Sequence, residues 1–191
     1  ADSELPNKLM EGRPEDTRPC LRCNEYCIGR IWNKHTKLGC AVNPQAMEEV
    51  RFAVQKTDQP KNVVVIGGGP AGMEAARVAA IEGHHVTLFE KSDHLGGVMG
   101  DICTASFKQN IKKLTTWYKV QLKKLNVDVH LNTEITGEEE ILASCDKIIA
   151  GCGAKPVIPP IPGIDGENVI SILDVHRNPS LLKGEQIVVC G

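Results

Sequence analysis

Four of the eight cysteines in this 191-residue chain, Cys20, Cys23, Cys27 and Cys40, lie close together in the order C-x2-C-x3-C-x12-C. The others, Cys103, Cys145, Cys152 and Cys190, follow no regular spacing. Three neighbouring thiolates can wrap one corner of a small inorganic cluster, and a distant fourth can close the cage around its irons. Four cysteines can also hold zinc, but such zinc sites usually come as two C-x2-C pairs, so the spacing leans to iron–sulfur and leaves zinc open. With no secretion signal in view, clustered cysteines point to metal rather than to disulfides. Arg18, Arg22 and Arg30 flank the thiols and read either as charges that offset thiolates or as ordinary solvated arginines.

A second pattern follows. Gly67-Gly68-Gly69-Pro70-Ala71-Gly72 satisfies G-x-G-x-x-G directly after an apolar run. In such a loop Gly67 permits the tight turn, Gly69 lacks the Cβ that would hold a pyrophosphate away, and Gly72 lets the next helix approach the sheet. The helix N-terminus then presents free N–H groups and a partial positive charge to the phosphates. Glu90 stands about twenty residues on, where an acid can bind a ribose hydroxyl. Strand, loop, helix, strand and acid in that order read as a dinucleotide site. Glu90 favours an unphosphorylated ribose, which suits FAD and NAD alike.

These residues need a frame. Residues 63–66 form a continuous apolar run, as for a strand buried on both faces. A helix is expected from about Pro70 to Glu82, ended by Gly83, and a second strand over 86–89. A second helix is expected over about 106–125, with Phe107, Ile111, Leu114, Tyr118, Leu122 and Leu125 on one stripe. Val127, Val129 and Leu131 alternate as a third strand, and residues 147–150 read as a fourth. The β-α-β order implies an α/β fold, a doubly wound parallel sheet of the FAD-type Rossmann kind, preceded by an irregular cysteine segment. Residues 43–56 read as a short helix with Asn43 as N-cap and Pro44 at its first position. Residues 1–19 read as a connecting segment. Residues 186–191 read as a strand running into a glycine, the opening of a second nucleotide-binding turn, so the chain looks truncated there.

Composition agrees with that frame. A hydrophobic share of 41% and a charged share of 24% belong to a soluble globular protein. A net charge of −2 offers nothing to nucleic acid or to a membrane surface. No apolar run is long enough to span a bilayer, and the polar start is not a signal peptide, so a cytoplasmic location is expected. Cys103, Cys145 and Cys190 read as small buried hydrophobes. His84 and His85 read as turn residues, and Trp117 and Tyr118 as core or partly covered surface. Lys108, Lys112, Lys113, Lys119, Lys123 and Lys124 read as a solvated face.

The motifs resemble one family in their joint order. Arg18-Pro19-Cys20-Leu21-Arg22-Cys23-Asn24, Cys27-Ile28-Gly29-Arg30 and Cys40-Ala41-Val42-Asn43-Pro44 resemble the iron–sulfur segment of the 2,4-dienoyl-CoA reductase and trimethylamine dehydrogenase family, multidomain relatives of old yellow enzyme. The stretch from Val65 to Ala76 resembles its FAD loop, and Glu90-Lys91-Ser92-Asp93-His94-Leu95-Gly96-Gly97 its E-K-x-x-x-L-G-G stretch. Gly153-Ala154-Lys155-Pro156 and Ile161-Pro162-Gly163-Ile164-Asp165-Gly166 resemble its crossing into the NAD(H) subdomain. One departure stands out: Ala150-Gly151-Cys152-Gly153 occupies the place of the family's A-T-G motif, with Cys152 where threonine is usual.

The resemblance implies four segments: the tail of an FMN-binding TIM barrel (1–19), a 4Fe-4S segment (20–58), the first part of an FAD domain (59–157), and the crossover into an NAD(P)H-binding subdomain (158–191). It implies that Cys20, Cys23, Cys27 and Cys40 ligate the cluster. It also implies that Gly67, Gly69, Pro70, Ala71, Gly72, Glu90, Lys91, Gly97, Val98, Ile135, Ala150, Gly151 and Gly153 line the FAD site. Electrons would pass from NAD(P)H to FAD, singly through the cluster, and on to FMN, which reduces an activated C=C bond of a small-molecule substrate. No catalytic side chain is expected within this chain. The alternatives are an amine dehydrogenase-like protein with ADP in the site and an electron-transfer flavoprotein as acceptor, a glutamate-synthase-like electron-input module, ranked lower because its cysteine patterns are absent, and a zinc-stapled nucleotide-binding module.

Overall fold

The structure, a computed structural model, describes residues 2–184 and 186–190. Strands β1 (Asn62–Ile66), β2 (His85–Phe89), β3 (Asp128–His130) and β4 (Lys147–Ala150) form one sheet in the order β3-β2-β1-β4, every pairing parallel. The helices are α1 (Leu5–Met10), α2 (Ile28–Lys34), α3 (Pro70–Ile81), α4 (Val98–Ile102), α5 (Gln109–Lys124), α6 (Glu140–Ser144) and α7 (Ile172–Arg177). The four strands lie where the apolar runs place them.

The core sits between the sheet and the pair α3 and α5. Val65 and Leu88 from β1 and β2 are fully buried, as are Met73 and Ala76 from α3. Leu114, Tyr118 and Leu122, spaced by fours along α5, close the other side together with Trp117. Full burial of one such side chain stabilises the fold by about 1.5–3 kcal/mol. Alanines and glycine on the inner face of α3 let it lie close against β1. Gly83, at φ 97°, ends this unit, where its amide donates to Ala80 O and that of His84 to Ala79 O.

The structure departs from expectation at several places, His85 among them, which opens β2 rather than lying in a turn, and Cys103 and Cys145, which are half-buried rather than buried. Residues 43–56 form turns, not a helix. The Asn43 side chain accepts the amide of Gln45 at 3.1 Å, and Met47 takes a left-handed conformation at φ 67°. Val50 is 95% exposed, so an amphipathic face here would have nothing to cover it. Phe107 leaves the expected stripe and stands 82% exposed, because residues Ser106–Lys108 make a tighter 3₁₀ turn before α5 begins. Residues 2–19 are more than a connection: they hold α1 and a 3₁₀ turn at Pro14–Asp16, and Glu15 and Asp16 bond to α5. Residues 186–190 form no strand, with Val188 and Val189 85% and 86% exposed. Gly191, the glycine of the expected second turn, lies outside the described residues. Cys190 is exposed rather than buried.

Candidate functional site

The direction of the sheet reverses at β1, where β2 follows on one side and β4 lies on the other. Ligands of open α/β sheets bind outside the carboxyl ends of the strands at such a point. Gly67 leaves β1 here at φ 103°. A Cβ on Gly67 would lie 2.4 Å from Gly151 O, and one on Gly72 would lie 1.8 Å from Gly67 O. The Gly151 amide donates to Ile66 O at 2.7 Å. Gly67, Gly72 and Gly151 are therefore glycines because the protein itself fills the space.

Gly69 is different. Its φ of −73° and ψ of −179° suit any residue, and a Cβ there would meet no protein atom within 4 Å. Neither backbone nor packing requires glycine at this position. A ligand that must touch the backbone would, which is the test a pyrophosphate sets. Gly97 faces it, with a Cβ position 3.3 Å from Gly69 Cα. Pro70 and Ala71 open α3, so its first free amides point toward the same space.

Glu90 is buried at the end of β2 and fixes this loop. Its carboxylate accepts the Gly68 amide at 2.6 Å and the Ser92 amide at 2.8 Å. Burial opposes its ionisation, but these amides outweigh burial and hold the carboxyl below its ordinary range. A carboxylate offers about four acceptor positions, and the Gly68 and Ser92 amides with the Ser92 hydroxyl leave room for a ribose hydroxyl.

The remaining expected residues spread outward. Val98 begins α4 beside Gly97 and is 47% exposed, and Lys91 is exposed after Glu90. Ala150 ends β4, and Gly153 is exposed just beyond. Ile135 is half-buried after β3, in a segment tied back by the Thr133 amide to Glu90 O and the Asn132 amide to Ser92 O. Cys152 occupies the threonine position of the motif with its Sγ 3.9 Å from Ile66 O, so the backbone path between β4 and the loop is kept.

All four clustered cysteines are free thiols, Cys20 and Cys23 exposed, Cys27 and Cys40 half-buried. The Arg22 amide donates to Cys20 Sγ at 3.3 Å. The Gly39 amide donates to Tyr26 O at 2.8 Å, which returns the Cys40 arm beside the Cys27 arm. Among the described residues no three His, Cys, Asp or Glu side chains gather as ligands of one metal ion. Four free thiols with an amide directed at one sulfur fit an iron–sulfur cluster by the chemistry of the donor set.

Two features escaped the sequence. Glu90's grip on the Gly68 amide was one; only the strand-end acid was visible. Arg18 was the other: it is buried, 7% exposed, against Trp117 and Glu74, and is neither a solvated arginine nor a charge facing thiols. Glu74 lies between Arg77 and Arg18; burial opposes its ionisation, yet the two guanidiniums hold its carboxyl below the ordinary range. Tyr118 is pushed upward by burial and by the Glu74 charge.

A family model described as pyridine nucleotide-disulphide oxidoreductase matches residues 39–140 and 61–191. A cinnamate reductase of Clostridium sporogenes is 40% identical over 191 residues, which is all of this chain and 28% of that protein. An NADH oxidase of Thermoanaerobacter brockii is 39% identical over 195 aligned residues, again across the whole chain and 30% of the relative. The solved structure of a 2-naphthoyl-CoA reductase in complex with 2-naphthoyl-CoA superposes with a TM-score of 0.86 at 36% identity, covering 92% of this chain and 27% of the other. The chain thus spans under a third of the length of these proteins. A parallel sheet with a glycine knot at its switch point, matched by sequence and by shape, places the chain in the pyridine nucleotide-disulphide oxidoreductase family, with its relatives among the NADH:flavin oxidoreductases.

Proposed function

We propose that this chain is the FAD and 4Fe-4S portion of an NAD(P)H-dependent oxidoreductase that reduces an activated C=C bond, such as an enoyl-CoA or an enone. The observation that carries the reading is the contrast within the loop: Gly67 and Gly72 are filled by protein, while Gly69 faces open space. FAD, when bound, accepts two electrons as hydride and releases them singly, the exchange a neighbouring cluster needs. The protein's part is to bind and orient. Gly69 and the first amides of α3 receive the pyrophosphate, and Glu90 accepts from the ribose while holding Gly68. Gly97 and Val98 border the same space, with Lys91, Ile135, Ala150, Gly151 and Gly153 around it. Cys20, Cys23, Cys27 and Cys40 supply the thiolates of the cluster.

A substrate with a conjugated C=C bond agrees with the names of the relatives, which reduce cinnamate or bind 2-naphthoyl-CoA. The FMN that would act on it, and the substrate itself, belong to parts of such enzymes that this chain does not match. No helix among the described residues is long and apolar enough to cross a membrane, in keeping with a cytoplasmic site of action.

The test is an anaerobic preparation of the complete gene product. The reading predicts a brown protein containing iron and acid-labile sulfide, an extracted nucleotide that runs as FAD, and bleaching of the flavin by NADH or NADPH. Zinc without labile sulfide would replace the cluster with a zinc staple. ADP in place of FAD would move the protein to the amine dehydrogenase type.

A further inference from the structure

The cysteine segment and the dinucleotide fold meet through one buried guanidinium. Arg18 lies two residues before Cys20 and is 7% exposed. One terminal nitrogen donates to the carbonyl of Val42, two residues after Cys40. The other reaches both carboxylate oxygens of Glu74, at 3.2 and 3.4 Å, on the helix that opens at the phosphate loop. The guanidinium carbon lies over the Trp117 ring, 4.4 Å from its centre, and the Arg18 amide donates to Asp2 at 2.7 Å. Asp16, on the same arm, accepts from Lys124 and Gln121 of α5, while its carbonyl accepts Trp117 Nε1.

These contacts join three pieces far apart in sequence: the arm bearing Cys20, Cys23 and Cys27, the arm bearing Cys40, and the first turns of α3. Such a junction needs a planar group with several donors and a fixed charge; arginine has this geometry, and a lysine ammonium can serve only part of it. Mere anchoring to the core would require only the Trp117 and Glu74 contacts. The bond to Val42 O is what couples the fourth cysteine to the first.

We propose that Arg18 is a positioning residue for the metal centre: it holds the Cys40 arm against the Cys20 arm and fixes both to the helix that begins at the flavin pyrophosphate. The inference rests on the iron–sulfur reading of the four cysteines. It assigns Arg18 no contact with the cluster itself; its effect is transmitted through Val42 to Cys40 and through Pro19 to Cys20.

The test compares the complete protein with its Arg18→Lys and Glu74→Gln variants, purified anaerobically, with Glu11→Ala as a control that removes only an exposed ion pair on the same arm. Residues that orient metal ligands typically alter metal retention by about 10–100-fold. Arg18→Lys is therefore expected to lose iron to a chelator faster by about that factor, with a changed low-temperature EPR line shape of the reduced cluster and FAD content equal to the unsubstituted protein. Glu74→Gln leaves the two cysteine arms tied to each other and is expected to keep its iron and line shape. Glu11→Ala should match the unsubstituted protein throughout. The proposal is overturned if Arg18→Lys retains iron and an unchanged EPR signal, or if it loses FAD in step with iron, which marks a general loss of folding. Should Arg18→Lys fail to accumulate, Arg18→Gln takes its place under the same readings: iron lost faster with FAD kept upholds the proposal, and iron kept, or lost in step with FAD, overturns it. Absence of iron and labile sulfide from the unsubstituted protein is a separate outcome, since it removes the cluster and with it this inference, while leaving the dinucleotide site standing.

Discussion

Residues 62–66 and 186–190 are nearly the same text, Asn-Val-Val-Val-Ile beside Gln-Ile-Val-Val-Cys, yet they end in opposite states. The first is the central strand β1, with Val65 fully buried and partners on both sides. The second forms no strand, and Val188 and Val189 stand 85% and 86% exposed. An apolar run states what it can become; it becomes a strand where neighbours supply hydrogen bonds along its edges and side chains over its faces. β1 has β2 and β4 beside it and α3 above. The later run has no paired strand among the described residues. β4 is an intermediate case: it pairs with β1, but Ile148 is left 48% exposed by the described residues.

Truncation separates the two regions most strongly. Leu88→Ala, at a fully buried position of β2, is expected to lower stability by about 2–5 kcal/mol in urea denaturation. Ile187→Ala, 57% exposed, should stay within about 0.5 kcal/mol. Equal losses would mean that the second run is covered in solution and that the contrast is false. Within the first region, Gly72→Ala places a Cβ 1.8 Å from Gly67 O and should lower stability by about 1–3 kcal/mol, read as a lower melting temperature.

Glu90→Gln should cost about 1–3 kcal/mol, since a neutral amide accepts the Gly68 and Ser92 amides less well and leaves an NH2 in a site built for acceptors. It should also weaken nucleotide retention in equilibrium dialysis. The smallest effect is expected at the seam with residues 1–19. Burial alone would raise the Asp16 carboxyl, but hydrogen bonds from Lys124, Arg13 and Gln121 bring it to about 2. Its folded value lies below the unfolded one, so its contribution is complete above the ordinary aspartate value of about 3.9 and disappears as pH falls from there through the folded value. Acid titration of stability should show this loss, and Asp16→Asn should flatten that part of the curve.

Patterns confined to one element were readable in the sequence. Period-two and continuous apolar runs located the strands, alanine and glycine spacing located α3, and the four-residue spacing of Leu114, Tyr118 and Leu122 located the inner face of α5. The loop was readable because its glycines keep the fixed G-x-G-x-x-G spacing after an apolar run, whatever demand each one answers. Long-range contacts decided the rest. Arg18 looked like any arginine beside a cysteine until Glu74, Val42 and Trp117, distant in sequence, surrounded it. Residues 43–56 carried helix-start signals, but a cap and a proline cannot hold a short helix whose apolar side chains have no surface to cover. Phe107 matched the α5 spacing by number alone, since the helix began two residues later.

The most direct test of the dinucleotide site is Gly69→Val, measured as melting temperature together with FAD content of the purified protein. The Cβ of a valine there meets no protein atom within 4 Å and the backbone is permitted, so the melting temperature of the nucleotide-free protein should be unchanged while FAD is lost. Full FAD content with the valine in place would contradict the account, because the pyrophosphate would then lie elsewhere.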